Sequence, residues 1–206
     1  MVSAAGLALL TLLAACGFQM RGVTPLPFDT LYVGVSDTTK FGADLRRALR
    51  AASPGTRLVD SPKDAQVLLQ QVSSQRLIDD TALNAQGRVE EYELSVYFTF
   101  RVIDAKGNAI LGDTAFSAFR ELPYNDQAAQ ALSSQIDSLY ASMEQSLINR
   151  VLRRLNAIDV RENYARLQRG EVNPDRPVFD PTKVAPVPAM PPGWNSPTNN
   201  LGGPPR

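Results

Sequence analysis

A chain of 206 residues, 44% of them hydrophobic, is long enough for one folded domain with appendages, since single domains run to roughly 100–200 residues. Its 21 Lys plus Arg balance 21 Asp plus Glu, so no overall field draws it onto nucleic acid, and any charged ligand must be met by a local group of side chains. The absence of histidine and the single cysteine remove the commonest general base, the usual metal-ligand sets and any intrachain disulfide; no catalytic residue, metal or cofactor is expected.

Residues 7–15 read LALLTLLAA, an apolar run of signal-peptide length but too short for a helix crossing about 30 Å of hydrocarbon. It ends in Leu13-Ala14-Ala15-Cys16, which resembles the bacterial lipobox. The resemblance implies a signal peptide over 1–15 and a mature chain beginning at Cys16 with S-diacylglycerol and N-palmitoyl groups. Each acyl CH₂ buried contributes about 0.8 kcal/mol, so several chains anchor a protein without any spanning helix. Residues 1–6 carry no Lys or Arg, unlike the positive start of most signal peptides, and the expectation is a start further upstream. Gly17 stands where inner-membrane retention signals place Asp, which implies onward export to the outer membrane.

Residues 16–28 form a tether with two glycines and two prolines, unsuited to helix or interior strand. Strand formers over 30–35 predict a first strand, and Thr38 or Thr39 is placed to cap a helix. In that helix Phe41, Leu45, Ala48, Leu49 and Ala52 recur at three- and four-residue steps until Pro54-Gly55. A second strand is expected over 65–77, around Val67-Leu68-Leu69. The clearest strand spans Val89–Asp104, where Tyr92, Leu94, Val96, Phe98, Phe100 and Val102 alternate with Glu93, Ser95, Tyr97, Thr99, Arg101 and Ile103. A turn at Asp104-Ala105-Lys106-Gly107-Asn108 leads to a fourth strand from Ala109 to about Glu121, making a long hairpin. Asn125 or Asp126 then caps a long helix with Ala129, Leu132, Ile136, Leu139, Met143, Leu147, Val151 and Leu155 on one face. Arg150, Arg153 and Arg154 complement its dipole and read as a solvated terminus.

Residues 173–206 hold ten of the fifteen prolines and read as a disordered tail. Together these elements predict an α+β fold over 29–160: two helices on a four-stranded, mostly antiparallel or mixed sheet, a two-layer sandwich. Residues 161–206 are then a polar linker and Pro-rich tail.

Phosphate-cradling and nucleophile-elbow motifs are absent, and Ser133, Ser134, Ser138, Ser142 and Ser146 have no histidine to activate them. The pairs Asp79-Asp80 and Glu90-Glu91 are adjacent on strands and point to opposite faces, which does not suit shared acid–base work. Arg88, Arg101 and Arg120 lie on or beside the long strands and are the candidates for binding phosphate or sugar-acid groups, with an ordinary polar face an equal explanation for each. Tyr97, Phe116 and Phe119 offer either an aromatic surface beside Arg101 or cross-strand packing.

The assembled pattern resembles the LptE-type lipopolysaccharide-assembly lipoproteins. Ala15-Cys16-Gly17-Phe18-Gln19-Met20-Arg21-Gly22 is similar to their opening, and Gly87-Arg88-Val89-Glu90-Glu91-Tyr92-Glu93-Leu94 to their hairpin tip followed by a Glu-Tyr pair. Phe119-Arg120, Asn125, Leu147-Ile148 and Arg153-Arg154-Leu155 continue the likeness, which covers about 16–155. What it implies is a lipid-anchored plug in the lumen of an LptD-type β-barrel, in a one-to-one complex, that binds lipopolysaccharide and makes no covalent bond. The family's basic lipopolysaccharide-contacting positions fall here on Ala85 and Leu132, so they do not transfer; Arg88, beside the same tip, stands in for the first. A generic periplasmic scaffold without lipopolysaccharide affinity, which direct binding would separate, and an enzyme acting on cell-wall or lipid substrates are the alternatives.

Overall fold

The structure, a computed structural model, describes residues 25–124 and 129–182. Cys16 and residues 183–206 lie outside them. In chain order the elements are β1 (Thr30–Gly34), α1 (Lys40–Ala52), β2 (Arg57–Val59), a 3₁₀ turn (Pro62–Asp64), β3 (Val67–Leu83), β4 (Val89–Asp104), β5 (Ala109–Pro123), α2 (Ala129–Leu155) and α3 (Ile158–Gln168). The five strands form one mixed sheet in the order β2-β1-β3-β4-β5, with β1 parallel to β2 and β3 and the β3-β4-β5 meander antiparallel.

The α+β class is as expected, but the described residues form three helices and five strands where two and four were predicted. The missed strand, β2, is three residues on a sheet edge, too short for period-two alternation to show. The missed helix, α3, has Ala157 at its N-cap and no side-chain capping bond, so no start signal marks it. Its tertiary contacts hold it: Val160 and Tyr164 are buried, and the Tyr164 ring meets Phe28 edge-on at 5.8 Å. Arg154 grips Asp159 through two bonds of 2.7 Å across the α2–α3 corner. The step Val160, Tyr164, Leu167 is the helical period that marks it in the sequence.

Thr39 caps α1 as anticipated, its hydroxyl accepting the Gly42 N–H at 3.1 Å. Phe41, Leu45 and Leu49 then turn to the sheet. On the same side the β4 row Tyr92, Leu94, Val96, Phe98, Phe100 and Val102 is buried throughout and meets Ile136, Met143, Leu147, Val151 and Leu155 of α2. Phe98 is the centre of this packing, 4.8 Å from the Phe41 ring and 5.7 Å from Phe100. The core begins before β1: Leu26 and Phe28, placed in the tether by their prolines, are buried, with the Leu26 N–H bonded to the Ser53 hydroxyl at 3.0 Å.

The opposite face of the sheet carries a smaller cluster, Ala65, Leu68 and Ile103, with Tyr32, Val59 and Phe179 packed on it. Phe179 belongs to the region read as disordered tail. That reading is corrected for 173–182, which crosses the sheet end: Val178 bridges Asn108, the Phe179 N–H bonds the Gly107 carbonyl at 2.8 Å, and Gln70 Nε2 donates to the Asp180 carbonyl at 3.1 Å. Arg176 adds bonds to the carbonyls of Ala109 and Ile110 and to Asn163 Oδ1. Proline content predicts no sheet of its own but does not prevent a chain from lying on one.

Gly107 is where turn and crossing segment meet. It has φ +89°, and a Cβ there would stand 2.0 Å from the Phe179 carbonyl oxygen. Gly107→Ala is therefore expected to destabilise the fold by roughly 1–3 kcal/mol through backbone strain and loss of the crossing segment. A lowered urea midpoint, with faster amide exchange at Phe179, is the outcome to look for.

Candidate functional site

The three candidate arginines are not brought together. Arg88 sits in the β3–β4 tip, where the Asn84 side-chain oxygen accepts the N–H groups of Gln86 and Arg88 at 3.0 and 2.9 Å and Gly87 takes φ +72°. Arg101 faces the outer side of the sheet, opposite Gln70 in the ladder, seven residues from the Leu94 level where Arg120 stands. At about 3.4 Å per residue that is roughly 24 Å along the strand. Arg120 pairs with Leu94, whose side chain is in the core, so it projects to the helix side and not to the face of Arg101. One ligand headgroup cannot touch all three.

Their partners divide them further. Arg101 is 18% exposed, paired with Asp113 at 3.0 Å, and its guanidinium lies 4.0 Å over the Phe179 ring, a stacking geometry that stabilises the crossing segment. It is a structural clamp. Arg120 is exposed and its Nη1 donates to the Phe119 carbonyl at 2.9 Å. Arg88, also exposed, lies in the β3–β4 tip. Of the two positions to which the family's basic residues map, Leu132 is buried in the core, and Ala85 is exposed at the tip.

The aromatic trio separates as well. Phe116 pairs with Phe98 on the core face and lies under Arg150, whose guanidinium is 4.4 Å from its ring and whose Nη1 donates to the Ser117 carbonyl at 2.6 Å. Arg150 and Arg154 therefore act as packing and bridging groups, not as a solvated helix end. Tyr97 and Phe119 point to the outer face, 36% and 45% exposed, with ring centroids 5.7 Å apart in an edge-to-face pair.

Beneath the sheet, Arg76 of β3 bonds Glu144 of α2 at 2.6 and 2.8 Å and lies 5.2 Å over the Tyr140 ring. The Tyr140 hydroxyl donates to the Leu77 carbonyl at 2.7 Å. The sequence offers no pointer to this network, because its three residues lie on two elements whose register only packing sets. Every buried side-chain polar atom among the described residues has a hydrogen-bond partner, and no group of three or more His, Cys, Asp or Glu among them is arranged for a metal. The adjacent acids split as expected, Asp79 opposite Glu93 and Asp80 opposite Tyr92. The cleft between the β4–β5 turn, α3 and residues 172–177 has room for about 10 Å³, roughly one water. Among the described residues no helix is long and apolar enough to cross a membrane.

What recurs elsewhere is the scaffold. The LptE model, described as lipopolysaccharide-assembly, matches residues 28–155, from the buried Phe28 to the last residue of α2. The chain belongs to the LptE family. No curated protein matches it. Among solved structures, this LptE-family chain is similar to lipoprotein B of Nitrosomonas europaea, with 27% identity, a TM-score of 0.57, and 66% of this chain and 88% of that one covered. The rare lipoprotein B of Shewanella oneidensis, at 22% identity and TM-score 0.54, covers 64% and 96%. A minor lipoprotein of Acinetobacter baumannii, at 22% and 0.51, covers 64% and 92%. The last two share the fold.

Burial pushes the Tyr140 hydroxyl up from its ordinary value to about 12, the nearby Arg76 charge opposing and Asp79 adding to the shift; burial likewise raises Tyr164. The unfolded chain thus loses these protons before the folded one, so stability is whole below about pH 10 and falls as pH rises toward 12. Chemical denaturation between pH 9 and 12 should show this decline, and Tyr140→Phe should flatten it without abolishing it, because Tyr164 still titrates.

Proposed function

We propose that this chain is an outer-membrane lipoprotein, anchored on the periplasmic side through lipid on Cys16, that works with an LptD-type β-barrel to place lipopolysaccharide in the outer leaflet. The observation that carries this is the family match, which spans the whole sheet with α1 and α2. In this reading the sandwich occupies the barrel lumen as a one-to-one plug and assembly factor, and meets lipopolysaccharide through non-covalent contacts. The role is not enzymatic: the chain has no histidine, and the candidate charged groups are dispersed over two faces and a tip. Membrane attachment rests on Leu13-Ala14-Ala15-Cys16, since lipid supplies an anchor that no described helix does.

Arg88 and Arg120, exposed on the tip and on β5, are the candidates for lipopolysaccharide phosphates, whereas Arg101 contributes by holding Phe179. Arg88→Glu and Arg120→Glu should each weaken lipopolysaccharide binding by about 1 kcal/mol or less, at most roughly fivefold, as exposed charge contacts do. Arg101→Ala should instead lower the urea midpoint. Titration with labelled lipopolysaccharide alongside equilibrium unfolding separates the two effects.

The deciding experiment is a pull-down of the tagged protein from detergent-solubilised outer membranes. Recovery of one large β-barrel in one-to-one ratio is the expected result; recovery of no barrel, with no lipopolysaccharide bound, would leave a generic scaffold as the function. Cys16→Ser should move the protein from the membrane to the soluble periplasmic fraction, and retention in the membrane would count against the lipid anchor.

A further inference from the structure

Three large apolar side chains stand exposed at one end of the sandwich: Ile158, Val172 and Val178 are 74%, 53% and 67% exposed. Ile158 opens α3 at its corner with α2, Val172 lines the cleft beside Asn108 and Ala109, and Val178 bridges Asn108. This is the end at which β1 and β3 start and β4 stops, since Leu31 pairs with Val67 and Val67 with Asp104. Lys106 in the β4–β5 turn and Arg153 in the last turn of α2 add exposed cations there, and neither makes an ion pair among the described residues. Glu162, one helical turn on from Ile158, is an exposed acid of the same region.

The chain toward Cys16 leaves the folded unit at this end as well. The Pro25 carbonyl accepts a bond from Arg161 Nη2 of α3, and buried Phe28 lies against Tyr164. Pro25 is nine residues past Cys16, a separation of at most about 32 Å whatever course those residues take. The β3–β4 tip is at the far end of β3, roughly 50 Å away. We infer that the α3 end of the sandwich is a lipid-contacting surface: Ile158, Val172 and Val178 enter the headgroup region of the periplasmic leaflet, with Lys106 and Arg153 at its phosphates. The inference rests on the lipid anchor at Cys16 proposed above, and adds which face of the folded unit that anchor turns to the bilayer. Apolar side chains rimmed by cations suit a phospholipid surface, because the apolar groups take the acyl boundary while Lys and Arg stems keep their charge among phosphates. Beside a plugged barrel this end stands at the periplasmic mouth, next to the leaflet. Three side chains bury far less than several acyl chains, so the surface orients the anchored protein and does not replace the anchor.

Cys16 is the only cysteine, and its thiol is taken by lipid in this reading, so one introduced thiol carries one fluorophore. Ala165→Cys labels the exposed side of α3, and Leu83→Cys labels an exposed site by the tip as the reference. The full lipidated chains are reconstituted on vesicles of phosphatidylethanolamine and phosphatidylglycerol that contain nitroxide-labelled phospholipid. Quenching should be stronger for the α3 label than for the tip label, and Ile158→Asp with Val178→Asp should lower it to the level of the tip. Both substitutions fall on exposed side chains and leave the core as it is. Glu162→Lys, which exchanges an acid for a cation beside Ile158, should strengthen the quenching. Equal or weaker quenching of the α3 label in acylated, vesicle-bound protein would overturn the inference and leave the anchor standing, as would quenching indifferent to the double variant. Protein that shows no acyl mass on Cys16 and stays free of the vesicles would overturn the anchor, and this inference with it.

Discussion

The packing of one face of β4 is the constraint around which the rest is arranged. Six alternating apolar residues from Tyr92 to Val102 are buried along a strand of sixteen, and fully burying side chains of this size contributes roughly 1.5–3 kcal/mol each. An exposed row of that length would be untenable in water, so helices have to cover it. α1 does so through Phe41 on Phe98, and α2 through its long inward stripe. The parallel pairing of β1 with β3 follows, because the chain must cross over through α1 to return beside it.

Arginine is the residue that joins the layers. Arg76 connects β3 to α2 through Glu144, Arg150 connects α2 to β5, Arg161 reaches from α3 to the Pro25 carbonyl, and Arg176 binds the start of β5. Several of these guanidinium groups end on backbone carbonyls, which a planar fork with five donors suits better than the compact ammonium of lysine. Those on Ala109, Ile110 and Ser117, with Arg120 on Phe119, also occupy oxygens of β5, the sheet's long edge strand, and so blunt an edge otherwise open to stray pairing. The scarcity of lysine in this chain has a structural use as well as any ligand-binding one.

Joining of the two ends sets the outline of the folded unit. Phe28, ahead of β1, meets Tyr164 of α3, and residues 171–182 then cross to the far face and cover Leu68 and Ile103 through Phe179. A sheet apolar on both faces at one end and exposed toward the tip results. The tip half carries Arg88, Arg120, the Tyr97–Phe119 pair and the row Asp79, Glu93 and Glu121 outside the core.

The sequence by itself determined what short-range periodicity can encode. The β4 alternation, the α1 stripe with its Thr39 cap, the β4–β5 turn with Gly107 and the long α2 face all repeat within a few residues, and each stands where it was read. The family likeness was legible on the same terms, as local residue types in order, and the family model matches residues 28–155. Tertiary structure alone decided the rest. The three-residue β2 and the uncapped α3 exist because neighbours pair with or bury them. Strand register sets which residues share a cross-strand row: the β3–β4 pairing put Asp79 beside Glu93, and the β4–β5 pairing put Glu121 beside Glu93 and Arg120 opposite core-facing Leu94, on the other face from Arg101. A one-residue slip in register exchanges the faces of a strand, so whether an arginine becomes a clamp or an open charge is settled by pairing with segments far away in the chain.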